Sequence, residues 1–208
     1  MNLLFLDIDG VLNDHQDLGN GYSGISKAGR ECFNMIMDHC PDVQVVISSA
    51  WRYHVHNGEM SKKGLEELLL THGLKVKDRI HGITEPDPGN YRDGHWTEKP
   101  KEWWHEQGLK WRKCQIQAYI SECCTFGWDG KDQFVVIDDL PLEMPELVHV
   151  ATGTGMNQLH AIEVIERFGG TVPGIGRCES CGLRLPLVAH SWPVCEGCYL
   201  QLNKWRVS

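Results

Sequence analysis

Three clusters of oxygen-bearing side chains punctuate this 208-residue chain: Asp7 and Asp9 before Gly10, Ser48 beside Ser49, and Asp138 beside Asp139. Each lies at the end of an apolar run: LLFLDI from residue 3, VQVVI from residue 43, QFVVI from residue 133. Together these residue types suit the cleavage of a phosphate monoester. A carboxylate nucleophile accepts the phosphoryl group as an acyl-phosphate. Two anions repel, so a divalent cation must bridge them. Magnesium takes oxygen ligands and keeps several waters, and Asp7 and Asp138 can supply the carboxylates. On a straight strand Asp9 would share a face with Asp7, but Gly10 lets the chain turn and re-aim it. Asp9 is then placed to protonate the leaving oxygen and later to activate water. A serine hydroxyl at the second strand end can hold a phosphoryl oxygen. A cationic side chain from elsewhere must offset the charge that develops in transfer.

The elements that must position these groups follow from periodicity and punctuation. The three apolar runs predict buried strands. Residues 26–40 have helical spacing, with Ala28, Cys32, Met35, Ile36 and Cys40 on one side and Pro41 as the stop. SKKGLEELLLTH at 61–72 starts on a serine cap and closes at Gly73, a second helix. A short strand is expected around Ile80–Ile83, and helices over 112–124 and 156–168, the last amphipathic. This alternation predicts an α/β fold with a parallel sheet flanked by helices. In such sheets ligands bind beyond the carboxyl ends of the strands, where all three polar clusters would lie. Residues 84–111 carry Pro86, Pro88 and Pro100 with Trp96, Trp103, Trp104 and Trp111, and read as a small lid insertion. These tryptophans suit lid packing first and base stacking second.

FLDIDGVLN (Phe5–Asn13), VVIS (Val45–Ser48) and VVIDD (Val135–Asp139), in that order, resemble the first, second and fourth motifs of the haloacid dehalogenase-like (HAD) superfamily. The flanking ISSAWR, HGIT and the IQAYI helix with a basic residue before it resemble the HAD domain of Swiss-army-knife RNA repair proteins and their phage and bacterial relatives. The resemblance covers roughly residues 1–168 and implies a Rossmann-like fold. It implies Asp7 as nucleophile and magnesium ligand, and Asp9 as acid/base with its carbonyl on the metal. Ser48 would hold the phosphoryl group, with Ser49 the fallback. Asp138 would be a metal ligand with Asp139 beside it. The third motif's basic residue would be Arg112, with Lys113 and Lys110 as alternatives. The activity implied is a magnesium-dependent phosphatase acting through an aspartyl-phosphate, on a nucleotide or a nucleic-acid terminal phosphate. The intact Asp9 favours phosphatase over dehalogenase. The competing expectation is a catalytically silent HAD scaffold that presents its C-terminal module to nucleic acid or a protein partner.

That module is announced by cysteines. Cys178-x-x-Cys181 and Cys195-x-x-Cys198 stand thirteen residues apart, close to the zinc-ribbon pattern of four thiolates around a tetrahedral zinc ion. Residues 177–208 are too few to bury a core of their own, and zinc would supply the missing folding energy. The expected organisation is therefore a phosphatase domain over 1–170 with its lid at about 84–111, a linker over 171–176 and a structural zinc ribbon over 177–208. Cys32, Cys40, Cys114, Cys123 and Cys124 are scattered and read as buried or semi-buried free thiols.

A formal net charge of -8 argues against non-specific coating of nucleic acid. Contact through a local surface, such as the ribbon, stays open. There is no GxxxxGK[ST] segment, so kinase chemistry is not expected, and Gly19-x-Gly21-x-x-Gly24 does not follow a strand. His54 and His56 read as surface histidines rather than a metal pair. No apolar run approaches a membrane span. MNLLFLDIDG has no basic leader and reads as a strand, which makes a cytoplasmic location the expectation.

Overall fold

The computed structural model describes residues 1–13, 24–86, 101–125, 133–151, 153–172, 175–177 and 184–186. The chain divides into two compact units, Met1–Gly169 and Gly170–Ser208.

In the first unit, β1 (Asn2–Leu6), β2 (Val43–Ile47), β3 (Ile80–Ile83), β4 (Gln133–Asp138) and β5 (Leu147–His149) form one five-stranded sheet in the order β3-β2-β1-β4-β5. Every pairing is parallel. Leu6 stands opposite Ile47 on one side and Ile137 on the other. The strand order reverses between β1 and β4, so the crevice of a doubly wound sheet opens at their carboxyl ends.

Among the described residues, five helices accompany the strands: α1 (Lys27–His39), α2 (Arg52–His56), α3 (Lys62–Thr71), α4 (Lys101–Thr125) and α5 (Gln158–Arg167). Three start on side-chain caps. Ser26 Oγ accepts from Gly29 N, Ser61 Oγ from Gly64 N, and Asn157 from Leu159 N and His160 N. Alternate strand residues face opposite ways. One face, with Leu3, Phe5, Val46 and Val136, packs on Ile116 of α4 and Leu142. The other, with Leu4, Leu6, Val45, Ile47, Val135 and Ile137, is equally buried. On that account both faces are covered and the central strands read as unbroken apolar runs.

The buried face of α1 is Gly29, Cys32, Phe33, Ile36 and Met37. Ala28 is exposed and Met35 half-buried, so the apolar stripe lies one position round from the one expected. Gly29 explains the offset. A Cβ there would sit 2.3 Å from the Leu12 carbonyl oxygen, so only glycine lets the helix start against the turn that follows β1.

The larger correction concerns the start of the helix expected over 112–124. Lys101–Thr125 is a single helix, so the expected insertion at 84–111 overlaps its first three turns, and the helix starts well before residue 112. Apolar residues occur all round this helix, and a segment without a stripe gives no helical signal in sequence. Residues 87–100 lie outside the described residues. The two-turn-or-shorter elements α2 and β5 also carry no periodicity and were not foreseen. Leu159, expected on the apolar face of α5, is 49% exposed. Cys32 and Cys40 are buried free thiols, raised above the usual thiol value chiefly by burial, whereas Cys114, expected to be at least half-buried, is exposed.

In the second unit, β6 (Ile175–Arg177) pairs antiparallel with β7 (Arg184–Pro186), with Arg177 opposite Arg184. Cys178, Cys181, Cys195 and Cys198 lie outside the described residues. Among the described residues, no helix is long and apolar enough to cross a membrane.

Candidate active site

The chain turns immediately after β1. The Ile8 carbonyl accepts from Val11 N at 3.3 Å and from Leu12 N at 2.8 Å, a helical turn that ends the strand. Gly10 sits at φ +83, where an L side chain is strained. A Cβ there would also come within 2.5 Å of Asp139 Oδ2. The turn is closed by Asn13, fully buried, whose Oδ1 accepts from Gly10 N at 2.8 Å. Its Nδ2 donates to Asp9 Oδ1 at 3.1 Å, and the indole Nε1 of Trp51 donates to the same oxygen at 3.2 Å. Asp7 thus stays on the line of β1, while Asp9 is swung towards the loop after β2.

The ladder continues one residue past the strands. Ser48 N donates to the Leu6 carbonyl at 2.9 Å and Asp7 N to the Ile137 carbonyl at 3.0 Å. Asp7, Ser48 and Asp138 therefore share one rung, all facing the α4 side. The oxygens of Asp7, Asp138 and Asp139 all lie within 4.8 Å of one another. Asp7 Oδ1 accepts from Ile8 N at 2.7 Å, and Asp138 Oδ1 from Leu140 N at 2.9 Å. Arg112 Nη1 reaches into the cluster: 3.0 Å from Asp138 Oδ2, 3.3 Å from Asp7 Oδ2 and 3.5 Å from Ser48 Oγ. Burial pushes Asp138 up to about 7, Arg112 acts against that, and the charges of Asp7 and Asp139 add to it.

Arg112 is aimed by its helix. Arg112, Gln115, Ile116 and Tyr119 fall on one α4 face, with Ile116 in the sheet core. Gln115 Oε1 accepts from Arg52 Nη2 at 3.2 Å. Arg52, 2% exposed, also donates through Nη1 to the carbonyls of Ser48 and Ser49, at 3.0 and 2.8 Å. One buried guanidinium thus ties the end of β2 to the helix that carries Arg112. The alternatives to Arg112 point elsewhere. Lys113 lines a separate hollow with Gln117, Ser121 and Glu143, and Lys110 pairs with Glu106 at 2.7 Å on the surface. Ser49 Oγ turns back to accept from Trp51 N at 3.4 Å.

Asn13, Trp51, Arg52 and Gln115 were missed in the sequence. FLDIDGVLN, which ends on Asn13, ISSAWR, which holds Trp51 and Arg52, and HGIT, which ends on Thr84, carried a signal without assigning these residues a role. Thr84 was missed too. It extends the rung, donating its N–H to the Ile47 carbonyl at 3.0 Å; it is fully buried, and its hydroxyl has no partner among the described residues. His56 Nε2 donates to the Thr84 carbonyl at 3.0 Å and His54 contacts Glu59, so neither forms a metal pair.

The donor set fits a hard divalent cation. Three clustered carboxylates, two of them buried, face one guanidinium. Asp7, Asp138 and Asp139 are the side chains that would hold it. The Asp9 carboxylate is not in this cluster.

Residues 3–161, more than half of the chain, match a family model described as HAD domain in Swiss Army Knife RNA repair proteins. No curated protein and no solved structure matches the chain.

Magnesium is expected to raise the melting temperature of the metal-free chain, and by more at about pH 8 than at about pH 6. The sign follows from Asp138. Its folded value lies above the ordinary carboxylate value, so the metal-free fold is favoured at acidic pH and loses that advantage as pH rises to about 7. A cation competes with that proton and gains as the proton leaves. His81 and His160, lowered by burial, act alike with and without magnesium, so the difference between the two melting curves isolates the cluster. Asp138→Asn should abolish the difference. A difference equal at both pH values, or one that survives Asp138→Asn, contradicts this.

Proposed function

We propose that this chain, which belongs to the family of HAD domains in Swiss Army Knife RNA repair proteins, is a magnesium-dependent phosphomonoesterase. Membership of this family indicates a phosphatase-type hydrolase. The observation that carries the finer reading is Arg112 Nη1 set 3.0 Å from Asp138 and 3.3 Å from Asp7 at the mouth of the sheet.

In the proposed reaction the Asp7 carboxylate attacks phosphorus. A bond forms from its oxygen, and the bond from phosphorus to the leaving oxygen breaks. The leaving oxygen keeps that electron pair and takes a proton from Asp9. Asp9, now ionised, takes a proton from water. The hydroxide attacks phosphorus, and Asp7 leaves as a free carboxylate with inorganic phosphate as product. Ser48 Oγ and Arg112 hold the non-bridging oxygens. A magnesium ion on Asp7, Asp138 and Asp139 would supply the charge that lets one anion approach another.

For the substrate, the family's RNA-repair description supports a phosphorylated nucleic-acid end, with a mononucleotide as the alternative. The C-terminal unit supports a zinc ribbon. In sequence, Cys178 and Cys181 fall between the paired strands β6 and β7, the arrangement in which a hairpin presents two thiolates, and Cys195-x-x-Cys198 would complete four. A ribbon there would offer a contact surface to the nucleic acid.

With magnesium present, the chain should release phosphate from 3′- or 5′-phosphorylated oligonucleotides faster than from mononucleotides, and Asp7→Asn should abolish release. Faster hydrolysis of mononucleotides would move the substrate to that class. Phosphate release unchanged in Asp7→Asn would remove Asp7 as the nucleophile, and no release from the wild-type chain would leave a non-catalytic scaffold. Elemental analysis should find one zinc per chain, lost together with the stability of the C-terminal unit in Cys178→Ser. A chain purified without chelator and free of zinc would overturn the ribbon.

A further inference from the structure

Trp51 is absorbed by none of the chemistry above, yet its indole touches the carboxylate assigned to proton transfer. We propose that Trp51, with Asn13, is a positioning residue that commits Asp9 Oδ2 to the proton. This rests on the phosphatase reading and deepens it.

Both donors converge on one atom. Asn13 Nδ2 lies 3.1 Å and Trp51 Nε1 3.2 Å from Asp9 Oδ1, and among the described residues no donor meets Oδ2. Two donors on one carboxylate oxygen fix the rotation of the group and leave the other oxygen to exchange a proton. Neither donor can reverse its role. An indole N–H only donates. The Asn13 amide is oriented by its Oδ1, which accepts from Gly10 N at 2.8 Å, so its NH2 must face Asp9. Oδ1 therefore accepts the same two bonds whether Oδ2 is protonated or ionised, and the carboxyl keeps one aim through both half-reactions.

Trp51 is itself held on two sides. Its backbone N donates to Ser49 Oγ at 3.4 Å, and its ring meets His72 edge-on, centroids 5.9 Å apart. This gives Ser49 a part in the site other than phosphoryl binding: it shapes the turn that delivers the indole.

The test separates positioning from structure by the leaving group. A poor leaving group, such as the alkoxide of glycerol 2-phosphate, needs the proton from Asp9; the nitrophenolate of p-nitrophenyl phosphate does not. The ratio kcat/KM covers steps only up to departure of that group. Trp51→Phe keeps the ring and removes the N–H. It should lower kcat/KM for glycerol 2-phosphate about tenfold and for p-nitrophenyl phosphate less than about twofold. Asn13→Ala should shift the ratio in the same sense. Both esters are measured on one preparation, so the ratio does not depend on the fraction folded. Equal losses on the two esters, or no loss on glycerol 2-phosphate, overturn the assignment of Trp51 while leaving the phosphatase intact. A wild-type chain that cleaves neither ester, nor any phosphorylated oligonucleotide, removes the phosphatase reading and this inference with it.

Discussion

Leu6 is hydrogen-bonded into parallel ladders on both sides, opposite Ile47 and Ile137, and that register decides what the next residues can do. One step further on, Asp7, Ser48 and Asp138 leave the sheet side by side on the same face. A slip of one residue in either ladder would turn a carboxylate or the hydroxyl to the opposite side of the sheet. The slip is resisted by the core itself, because Phe5, Val46 and Val136 pack against Ile116 on that face and would have to exchange places with Leu6, Ile47 and Ile137. Apolar burial, which is blind to chemistry, thereby holds a set of charged groups in alignment.

Holding them there is unfavourable on its own terms. Asp7 and Asp138 are buried beside each other, with Asp139 within reach, and like charges in a place with little water repel strongly. Arg112 offsets part of this and is kept in place from behind by the Arg52–Gln115 bond. Breaking such a pair by removing one partner strands the other charge. The remainder of the imbalance is what makes the cluster a candidate cation site. The same economy governs Gly10 and Gly29. Each is required where backbone or carboxylate comes too close for a side chain, and both shape the turn that aims Asp7 and Asp9 in different directions.

What the sequence made legible follows from this physics. Buried parallel strands are continuous apolar runs, so β1, β2 and β4 were visible, and the polar residues at their ends identified the site face. The cap at Ser61 was visible for a similar reason: it is local. What was not legible is what depends on distant partners. The first turns of α4 looked like a loop because apolar residues on every side erase the helical period. Spacing favoured Arg112 but kept Lys113 and Lys110 as alternatives, since neighbouring residues differ only by a rotation about the helix. Trp51 and Asn13 meet Asp9 across 42 and 4 residues of chain, and nothing in local pattern links an indole to a carboxylate so far away. Cys178, Cys181, Cys195 and Cys198 lie outside the described residues, so only their spacing in sequence bears on them.

The central claim is that one cation binds where the ends of β1 and β4 meet. The most direct measurement is anomalous diffraction from crystals of the chain grown with manganese in place of magnesium. The account predicts a peak about 2.1 Å from carboxylate oxygens of both Asp7 and Asp138, with the Arg112 guanidinium beside it. A peak on surface acids alone, or Asp7 and Asp138 turned into separate regions with no ion between them, would contradict it.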